Sequence, residues 1–324
     1  MRNFYSKKEY QEIADIFNVG KIISFTYFHD GYQAPKVKIE TRKDVFVVAK
    51  HALSHKNSTV PDFKVISRTA LSEEISFLST LKGLPVPKYI KSKNNRYIEY
   101  YRNYLVCIYN FLPGHQPKKI TSEMIYQLGV FLGKFHKQGI KYKKPLKGRG
   151  KFYDLSSQII MIMYKTAQKQ THPTLKKIIK EVKQGCIKNK LPKETIPGPI
   201  HVDIKPDNEL FTKGRLTGII DFSNMYTGPL IFDVGKTIMW NCLKNNKLDV
   251  NLVKRFIKGY STQRKLKKKE LENINKAILL AIYTHLWVDL YHVPIKYVPE
   301  RYALFLVKTF LPIARKLEKE LSPA

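Results

Sequence analysis

Acidic residues and cysteines are scarce in this chain. Of its 324 residues, 26 are Asp or Glu against 58 Lys or Arg, which gives a formal net charge of +32. The three cysteines, Cys107, Cys186 and Cys242, are widely spaced and form no CxxC pair. An odd, scattered set indicates neither a disulfide framework nor a zinc site and is typical of a reducing compartment.

Apolar runs of the length that a membrane span needs are also missing from the sequence. The longest apolar stretch, AILLAIYTHLWVDLY, contains His285 and Asp289 and is too short for a transmembrane helix. The N-terminal segment MRNFYSKKEY lacks the apolar core of a signal peptide. We therefore expect a soluble, cytoplasmic protein without a membrane span.

The positive charge is spread along the whole chain. Lysine outnumbers arginine, and the basic residues do not alternate with aromatic ones in a nucleic-acid-binding motif. A charge of this size attracts polyanions through its field alone. A lysine-rich solvated surface explains it without a partner, so we do not expect nucleic-acid binding as the main function.

The composition predicts an enzyme-sized globular protein. Hydrophobic residues make up 43% of the chain and aromatic residues 12%, which is enough apolar surface to offset chain entropy. The length allows two lobes. KIISFTYF, KVKIET and VFVVAK within residues 21–50 alternate like antiparallel strands, and residues 71–82 have the periodicity of a helix.

A change of periodicity near Pro113 predicts the boundary between two lobes. RYIEYY and YLVCIYNFL read as further strands before the breaker cluster PGHQP, and SEMIYQLGVFLGKFHKQG then begins a mainly helical region. We expect an N-terminal lobe over residues 1–112, a hinge at about 108–113 and a C-terminal lobe over 113–324.

Two polar segments follow apolar strands in the second half of the chain. HVDIKPDN places Asp203 five residues before Asn208, and Asp221 comes thirteen residues after Asn208, directly behind LTGII. A loop and a hairpin with this spacing aim one amide and one carboxylate at a shared cation. Such hard oxygen ligands suit Mg²⁺, which phosphoryl transfer requires, and leave Asp203 to orient an attacking hydroxyl.

These segments carry a family resemblance. HVDIKPDN with IIDFSN resembles the H-x-D-x-x-x-x-N and D-F-G pair of the protein-kinase fold. GPLIFDVG, LGVFLGKFHKQG, GLPVPKYI and YNFLPG are similar to blocks of the aminoglycoside phosphotransferase and choline kinase superfamily. FNVGKIISF, LTGIIDF, MWNCL and GYSTQRKL resemble its homoserine kinase branch. The resemblance covers roughly residues 17–292.

The resemblance implies a fold and a reaction. The fold is α+β and protein-kinase-like, with a small antiparallel sheet in the N-terminal lobe and a larger, mainly helical C-terminal lobe. The reaction uses ATP and Mg²⁺ and phosphorylates a hydroxyl group of a small molecule. Homoserine or a related amino alcohol is the first candidate acceptor, and an aminoglycoside or a sugar is the next.

The resemblance also assigns roles in the catalytic loop and in the segment that follows it. Asp203 matches the catalytic base, and Lys205 matches a lysine that contacts the γ-phosphate in protein kinases. Asn208 and Asp221 match the magnesium ligands. The motif that contains Asp221 reads DFS rather than DFG, which keeps the carboxylate but not the flexible glycine.

Further roles fall in the N-terminal lobe. Lys50, in FVVAK, matches the strand lysine that binds the α- and β-phosphates, and Glu74 matches its ion-pair partner on the helix. Tyr109, Asn110 and Phe111 match the hinge, whose backbone groups bind adenine. The segment HDGYQAP, which matches the phosphate-covering loop, contains a single glycine, Gly31.

Three polar residues near these motifs are interpreted as structural. His136 lies on an amphipathic helix and is expected to be a packed, hydrogen-bonded core residue. His201 is expected to brace the catalytic loop. Asp233 is expected to cap a helix, with a second role in holding the catalytic loop in place.

Alternatives stay open for the acceptor and for the activity. The segment KAILLAIYTHLWVDLYH has Ala281 and Leu286 near places where the homoserine kinase pattern has arginines. A basic protein kinase is one alternative, although Asp233 follows Asp221 too closely to leave room for a peptide platform. A catalytically weak nucleotide-binding pseudokinase or a nucleic-acid-associated scaffold is the other.

Overall fold

The structure is a computed structural model that describes residues 5–28, 35–52, 67–147, 153 and 155–321. The chain divides into two compact units. The first unit comprises Met1–His115, Leu210–Lys213 and Thr217–Ser223, and the second comprises Gln116–Glu209, Gly214–Leu216 and Asn224–Ala324.

Helices and strands alternate at first and helices dominate later. The helices are α1 (Lys7–Ile16), α2 (Arg68–Thr80), α3 (Ser122–Gly139), α4 (Ser157–Ala167), α5 (Pro173–Lys188), α6 (Leu230–Asn241), α7 (Val250–Gln263), α8 (Lys268–Glu272), α9 (Ile274–His292) and α10 (Glu300–Leu321). The strands are β1 (Ile22–Phe28), β2 (Lys36–Thr41), β3 (Val45–Ala52), β4 (Tyr89–Ile90), β5 (Glu99–Tyr101), β6 (Tyr104–Asn110), β7 (Pro197–Ile200), β8 (Glu209–Thr212), β9 (Arg215–Ile219), β10 (Tyr226–Pro229), β11 (Leu243–Lys244) and β12 (Lys247–Leu248).

An antiparallel sheet forms the centre of the first unit. Its strand order is β1-β2-β3-β6-β4, and β5 pairs with the remaining part of β6. The strands expected within residues 21–50 are present as β1, β2 and β3, and the helix expected at 71–82 is present as α2. Alternate residues of each strand point to opposite faces of the sheet. Helix α1 packs on one face and α2 packs on the other.

We name the two faces of this sheet by the helix that covers each. On the α1 face, Val37, Val48 and Ile108 lie opposite one another in the register and pack with Tyr10 and Ile13 of α1. On the α2 face, Leu105 packs with Leu71 and Ile75 of α2. Because neighbouring residues of one strand point to different faces, the register decides which side chains share a site.

The second unit is mainly helical. Helix α3 packs along α7, and α6, α5 and α10 pack against α9. Helix α9 is buried on nearly all sides, which explains why it is apolar almost throughout. In the described parts of the chain, no helix combines the length and the apolar character that crossing a bilayer requires.

Short strand pairs carry the segments that the sequence singled out. Strand β7 pairs antiparallel with β10, and the HVDIKPDN segment begins at the end of β7. Strands β8 and β9 form a hairpin, and Asp221 lies just beyond β9. Each segment is therefore a polar loop held at the end of a strand.

Candidate active site

The loop after β7 holds the predicted catalytic base. Asp203 lies in this loop, and the 3-10 turn Pro206–Asn208 brings Asn208 back to it. Asn208 donates from Nδ2 to the backbone oxygen of Asp203 at 2.8 Å and to Asp203 Oδ2 at 3.1 Å. Within the second unit, the structure thus brings together the predicted base and one predicted metal ligand.

Lys205 lies beside the same carboxylate. Its Nζ is 3.6 Å from Asp203 Oδ2 and 5.6 Å from the centre of the Trp240 ring. Both charged side chains are partly buried, so their attraction is screened less than at an open surface. Lys205 therefore places a positive charge next to the carboxylate that the sequence assigns as base.

The carboxylate of Asp233 fixes the start of this loop. Asp233 Oδ2 accepts a hydrogen bond from the His201 backbone N at 2.8 Å, and its Oδ1 accepts one from the Val202 N at 2.7 Å. Asp233 lies in the first turn of α6, whose N-cap is Pro229, so the expectation that it caps this helix is wrong. Its hydrogen bonds go to the start of the predicted catalytic loop instead.

A chain of hydrogen bonds continues behind Asp233. His136 lies 3.1 Å from Asp233 Oδ2 through Nε2 and 2.8 Å from the Tyr260 hydroxyl through Nδ1, and Arg264 Nη1 donates to that hydroxyl at 2.9 Å. An ionised Asp233 can only accept, so Nε2 carries the proton and Tyr260 donates to Nδ1. The loop is thereby connected to α3 and α7.

The protonation states of this pair follow from burial and hydrogen bonding. Burial alone would raise the pKa of Asp233, but hydrogen bonds from the His136 side chain and from the His201 backbone hold the pKa of Asp233 below its usual value. Burial lowers the pKa of His136, against the opposing effect of Asp233. We therefore assign an ionised carboxylate and a neutral imidazole.

A second polar group is buried between α6 and α9. Lys236 is 1% exposed, and its Nζ donates to His285 Nδ1 at 3.0 Å. His285 Nε2 lies 3.8 Å from Asp289 Oδ2, one helical turn away. Among the described residues, neither of these two atoms has a hydrogen-bond partner, and the same holds for Trp240 Nε1.

Burial and neighbouring charges shift the pKa values of this group in opposite directions. Burial lowers the pKa of Lys236 to about 8, although Asp203 and Asp289 favour its charged form. Burial raises the pKa of Asp289 to about 7, although Lys236 and Lys205 favour its charged form. Both pKa values also respond to the charge of the predicted base, Asp203, and strongly shifted groups of this kind are typical of functional sites.

Asp221 lies in the first unit, in the turn between β9 and the 3-10 turn Phe222–Asn224. Its backbone has a φ of +63°, a left-handed conformation that is uncommon for residues other than glycine. Ser223 Oγ donates to Asp221 Oδ1 at 2.7 Å. The serine that replaces the glycine of the DFG motif therefore helps to orient the carboxylate.

Glu74 and the predicted hinge lie on or beside the same sheet. The Tyr89 hydroxyl donates to Glu74 Oε1 at 3.1 Å, and the Tyr89 ring lies 5.2 Å from the Tyr109 ring. The backbone N of Asn110 donates to Lys88 O, and that of Phe111 to Val45 O, each at 3.0 Å. These two backbone donors are therefore used within the first unit.

Lys50 does not lie near Glu74 in the structure. It is opposite Val106 in the register, on the α1 face, and its Nζ lies 4.0 Å from the centre of the Tyr5 ring and 3.9 Å from that of Tyr104. Glu74 belongs to α2, on the other face. The expected pair of strand lysine and helix glutamate is thus not formed by these two residues.

The expected magnesium ligands are chemically suited to that ion. Among the residues that the structure describes, no group of three or more His, Cys, Asp or Glu side chains could hold a metal. Asn208 uses its Nδ2 on Asp203, which leaves the amide oxygen for a cation. An amide oxygen and a carboxylate, such as that of Asp221, are each ligand types that Mg²⁺ accepts.

Four residues that the sequence motifs do not single out lie beside the predicted site residues or act on them electrostatically. Lys36, Lys236, His285 and Asp289 were not predicted as site residues. The signal for Lys236 was available, since a lysine inside the apolar helix LIFDVGKTIMWN is expected to be buried. Gly31 and its loop, residues 29–34, lie outside the described residues.

Comparison with known sequences identifies the chain's relatives. The model of the phosphotransferase enzyme family matches residues 24–268. The homoserine kinase of Zymomonas mobilis is 24% identical over 265 residues, which cover 79% of this chain and 77% of the relative. That of Rhodopseudomonas palustris is 22% identical over 312 residues, which cover 93% and 88%.

Solved structures with the same fold include an amicoumacin kinase and a spectinomycin phosphotransferase. Amicoumacin kinase hAmiN, solved with AMP-PNP, Ca²⁺ and Ami, aligns with a TM-score of 0.69 at 13% identity, over 98% of this chain and 94% of the other. Spectinomycin phosphotransferase, solved with ADP and spectinomycin, aligns with a TM-score of 0.63 at 13% identity, over 98% and 100%. The predicted α+β, kinase-like fold is confirmed.

The family match covers most of the chain and includes Asp203, Asn208 and Asp221. It confirms the predicted resemblance to the aminoglycoside phosphotransferase superfamily and the predicted enzyme class, a phosphotransferase with an alcohol group as acceptor. The chain belongs to the phosphotransferase enzyme family.

Proposed function

We propose that this protein transfers the γ-phosphate of ATP, with Mg²⁺, to the hydroxyl group of a small amino alcohol, with homoserine as the first candidate. The observation that carries the proposal is the position of Asp203. Its carboxylate is tied to Asn208, and its loop is anchored by the buried Asp233. Such preorganisation is what phosphoryl transfer needs from a protein.

Asp203 orients the acceptor hydroxyl and takes its proton. The hydroxyl oxygen forms a bond to the γ-phosphorus, the bond from that phosphorus to the bridging oxygen breaks, and ADP leaves. The proton of the hydroxyl passes to the Asp203 carboxylate. Lys205, 3.6 Å from that carboxylate, approaches the transferred phosphoryl group and offsets its charge.

Asn208 and Asp221 would hold the magnesium ion. This assignment rests on their order in the sequence motifs and on the donor chemistry of one amide and one carboxylate. When bound, the ion neutralises phosphate charge and orients the phosphates for in-line attack. The binding of adenine by the hinge, Tyr109 to Phe111, stays a prediction. Lys50 and Glu74 lie on opposite faces of the sheet, so they are not proposed as a phosphate-binding pair.

The buried group around Lys236 supports an acceptor that carries one positive and one negative group. Lys236 offers a cation and Asp289 a carboxylate, and both act electrostatically on Asp203 or are influenced by it. An amino alcohol with a carboxylate and an ammonium group satisfies both. The positions of Ala281 and Leu286 on α9 carry no arginine, so the cation comes from α6 instead.

The test is ADP release from ATP and Mg²⁺ across a panel of acceptors, namely homoserine, choline, ethanolamine, aminoglycosides and hexoses. We expect release that depends on an amino alcohol and that falls by at least about 10³-fold in Asp203→Asn, because the positioned base is lost. The matched control is Asp207→Asn, since Asp207 is exposed in the adjacent turn.

Three results would contradict the proposal. Equal turnover in Asp203→Asn and the wild type would remove Asp203 as the base. ATP binding without turnover on any acceptor would favour a pseudokinase, and labelling of proteins would favour a protein kinase. A signal with an aminoglycoside or a hexose alone would keep the reaction and change the acceptor class.

A further inference from the structure

The sheet of the first unit has a second lysine that the sequence motifs did not single out. Lys36 begins β2 and lies opposite Ala49 of β3, and Ala49 lies opposite Cys107 of β6. Residues directly opposite one another in antiparallel strands point to the same face. Lys36, Ala49 and Cys107 therefore form one row across three strands.

This row lies on the α2 face. Leu105 is two residues from Cys107 on β6, so both point to the same side, and Leu105 packs with Leu71 and Ile75 of α2. Tyr109 is two residues further on, and its partner Tyr89 donates to Glu74. Lys36 thus shares its face with the helix glutamate that the family resemblance requires.

Lys50 points to the opposite face, because side chains alternate between the two faces along β3. It follows Ala49 directly and lies opposite Val106, a residue of the core beneath α1. A shift of one residue along a strand moves a side chain to the other face. The stacking of its ammonium against Tyr5 and Tyr104 gives Lys50 a structural role.

The charges around Lys36 match those around a phosphate-binding lysine. Burial opposes its charge, but Asp221 first, and then Tyr109 and Glu74, act to keep the ammonium protonated and raise its pKa. Asp221 and Glu74 are the residues that the resemblance assigns to the magnesium ion and to the ion pair. Both belong, like Lys36, to the first unit.

The other lysine on this face of β2 is engaged elsewhere. Lys38 lies opposite Val47, and its Nζ is 2.6 Å from Glu40 Oε1 and 5.0 Å from the centre of the Phe111 ring. A lysine with a carboxylate at this distance is partly neutralised by it. Lys36 is therefore the better placed of the two.

We propose that Lys36, on β2, is the residue that binds the α- and β-phosphates of the nucleotide, in the place that the family motif gives to a lysine of β3. A lysine on β2 opposite Ala49 reaches the same region as a lysine at position 49, because facing residues in antiparallel strands are about 5 Å apart. The inference rests on the proposed use of ATP, and it does not depend on the identity of the acceptor.

The test is calorimetric binding of ADP and of adenosine to the wild type and to Lys36→Met, Lys36→Arg, Lys38→Met and Lys50→Met. We expect Lys36→Met to bind ADP about 10- to 100-fold more weakly and adenosine unchanged, because only charge-assisted contacts to phosphate are lost. Lys36→Arg should retain part of the ADP affinity. Lys38→Met and Lys50→Met should keep the ratio of ADP to adenosine affinity of the wild type.

A second variant keeps the inference falsifiable if Lys36→Met is unstable. Exchange of the two facing residues, Lys36→Ala with Ala49→Lys, moves the ammonium to β3 on the same face and should restore at least part of the ADP preference. Urea unfolding of each variant separates loss of fold from loss of binding.

Particular outcomes overturn the inference. Wild-type ADP affinity in Lys36→Met would do so, as would an equal loss of ADP and adenosine affinity in a folded variant. Selective loss of ADP affinity in Lys50→Met would assign phosphate binding to Lys50 on β3 instead. A wild type that binds ADP but phosphorylates no acceptor would contradict the proposed function and leave this test valid, whereas a wild type that binds no ADP would overturn both.

Discussion

Asp233 Oδ1 accepts a hydrogen bond from the Val202 backbone N at 2.7 Å, and Val202 has a φ of +71°. A left-handed conformation is rare for a β-branched residue and persists only where the surroundings enforce it. Here the enforcing group is a fully buried carboxylate. The residue directly before Asp203 is thus held in a strained conformation by an ionic anchor.

Replacement of this anchor should cost both stability and turnover. We expect Asp233→Asn to lower the free energy of unfolding by about 3–5 kcal/mol, because the amide cannot accept at both positions and leaves buried groups unpaired. Urea unfolding at pH 7 measures this change. The matched control is Asp249→Asn, since Asp249 caps α7 and Asn caps as well as Asp. Similar losses in the two variants would contradict the anchoring role.

The pH dependence of acceptor use should be bell-shaped and narrow. Asp289, with a pKa of about 7, must be ionised to hold an ammonium group, and Lys236, with a pKa of about 8, must be protonated to hold a carboxylate. We therefore expect kcat/KM for the acceptor to be highest between about pH 7 and 8. The acidic and alkaline limbs of this profile report apparent pKa values of the coupled Lys236 and Asp289 group, not of either residue alone. A flat profile from pH 6 to 9 would contradict the assignment.

Asp289 should also leave a signature in stability. Its pKa rises from 3.8 in the unfolded chain to about 7 in the folded one, so the folded state binds more protons between these values. This carboxyl therefore makes stability fall as the pH rises from about 4 to 7. We expect Asp289→Asn to match the wild type near pH 4 and to be more stable at pH 8, as measured by urea unfolding. A larger stability deficit of the variant at pH 8 than at pH 4 would contradict this sign.

Substitution of Lys236 separates acceptor recognition from stability. We expect Lys236→Met to raise KM for the acceptor about tenfold or more, to leave KM for ATP unchanged and to abolish the alkaline limb of the pH profile. Urea unfolding of the variant separates a loss of acceptor recognition from a loss of stability. Lys244→Met, at an exposed position, is the control. Equal effects on both KM values would point to a structural role instead.

The strand and loop signals in the sequence were sufficient to predict that two residues of the candidate site lie together. Asp203 and Asn208 fall in a polar loop between apolar segments, and the structure joins them by hydrogen bonds. The order of the motifs was also sufficient to predict the fold, because the motifs follow the chain order of a small sheet and then helices. Motif spacing thus predicts contacts between residues that lie close together in the sequence.

The position of Lys36, the proposed phosphate-binding lysine, could not be predicted in the same way. FVVAK resembles the expected motif, but Lys50 is one residue out of phase with the face that carries Glu74. The pairing of β2 with β3, which places Lys36 opposite Ala49, depends on register and is not visible in a linear motif. Lys236 and His285 meet only because α6 packs on α9.

Close packing of α3 on α7 positions His136 behind Asp233. A Cβ atom at Gly129 would lie 2.2 Å from Phe256 O, and one at Gly259 would lie 2.2 Å from Tyr126 O, so the two helices approach through backbone contact. These neighbours are backbone atoms of a helix and cannot move independently. The side chain of His136, on α3, depends on this separation of the helices to reach Asp233.

We expect Gly129→Ala to lower the free energy of unfolding by about 1–3 kcal/mol, although alanine favours a helix more than glycine does, because the added methyl group forces the helices apart. Urea unfolding measures this loss, and the exposed Lys137→Ala on the same helix should stay within about 0.5 kcal/mol of the wild type. Turnover should fall with Gly129→Ala, since displacement of His136 loosens the anchor of the catalytic loop. A stabilised and fully active Gly129→Ala would show that the helices can separate without cost to the site.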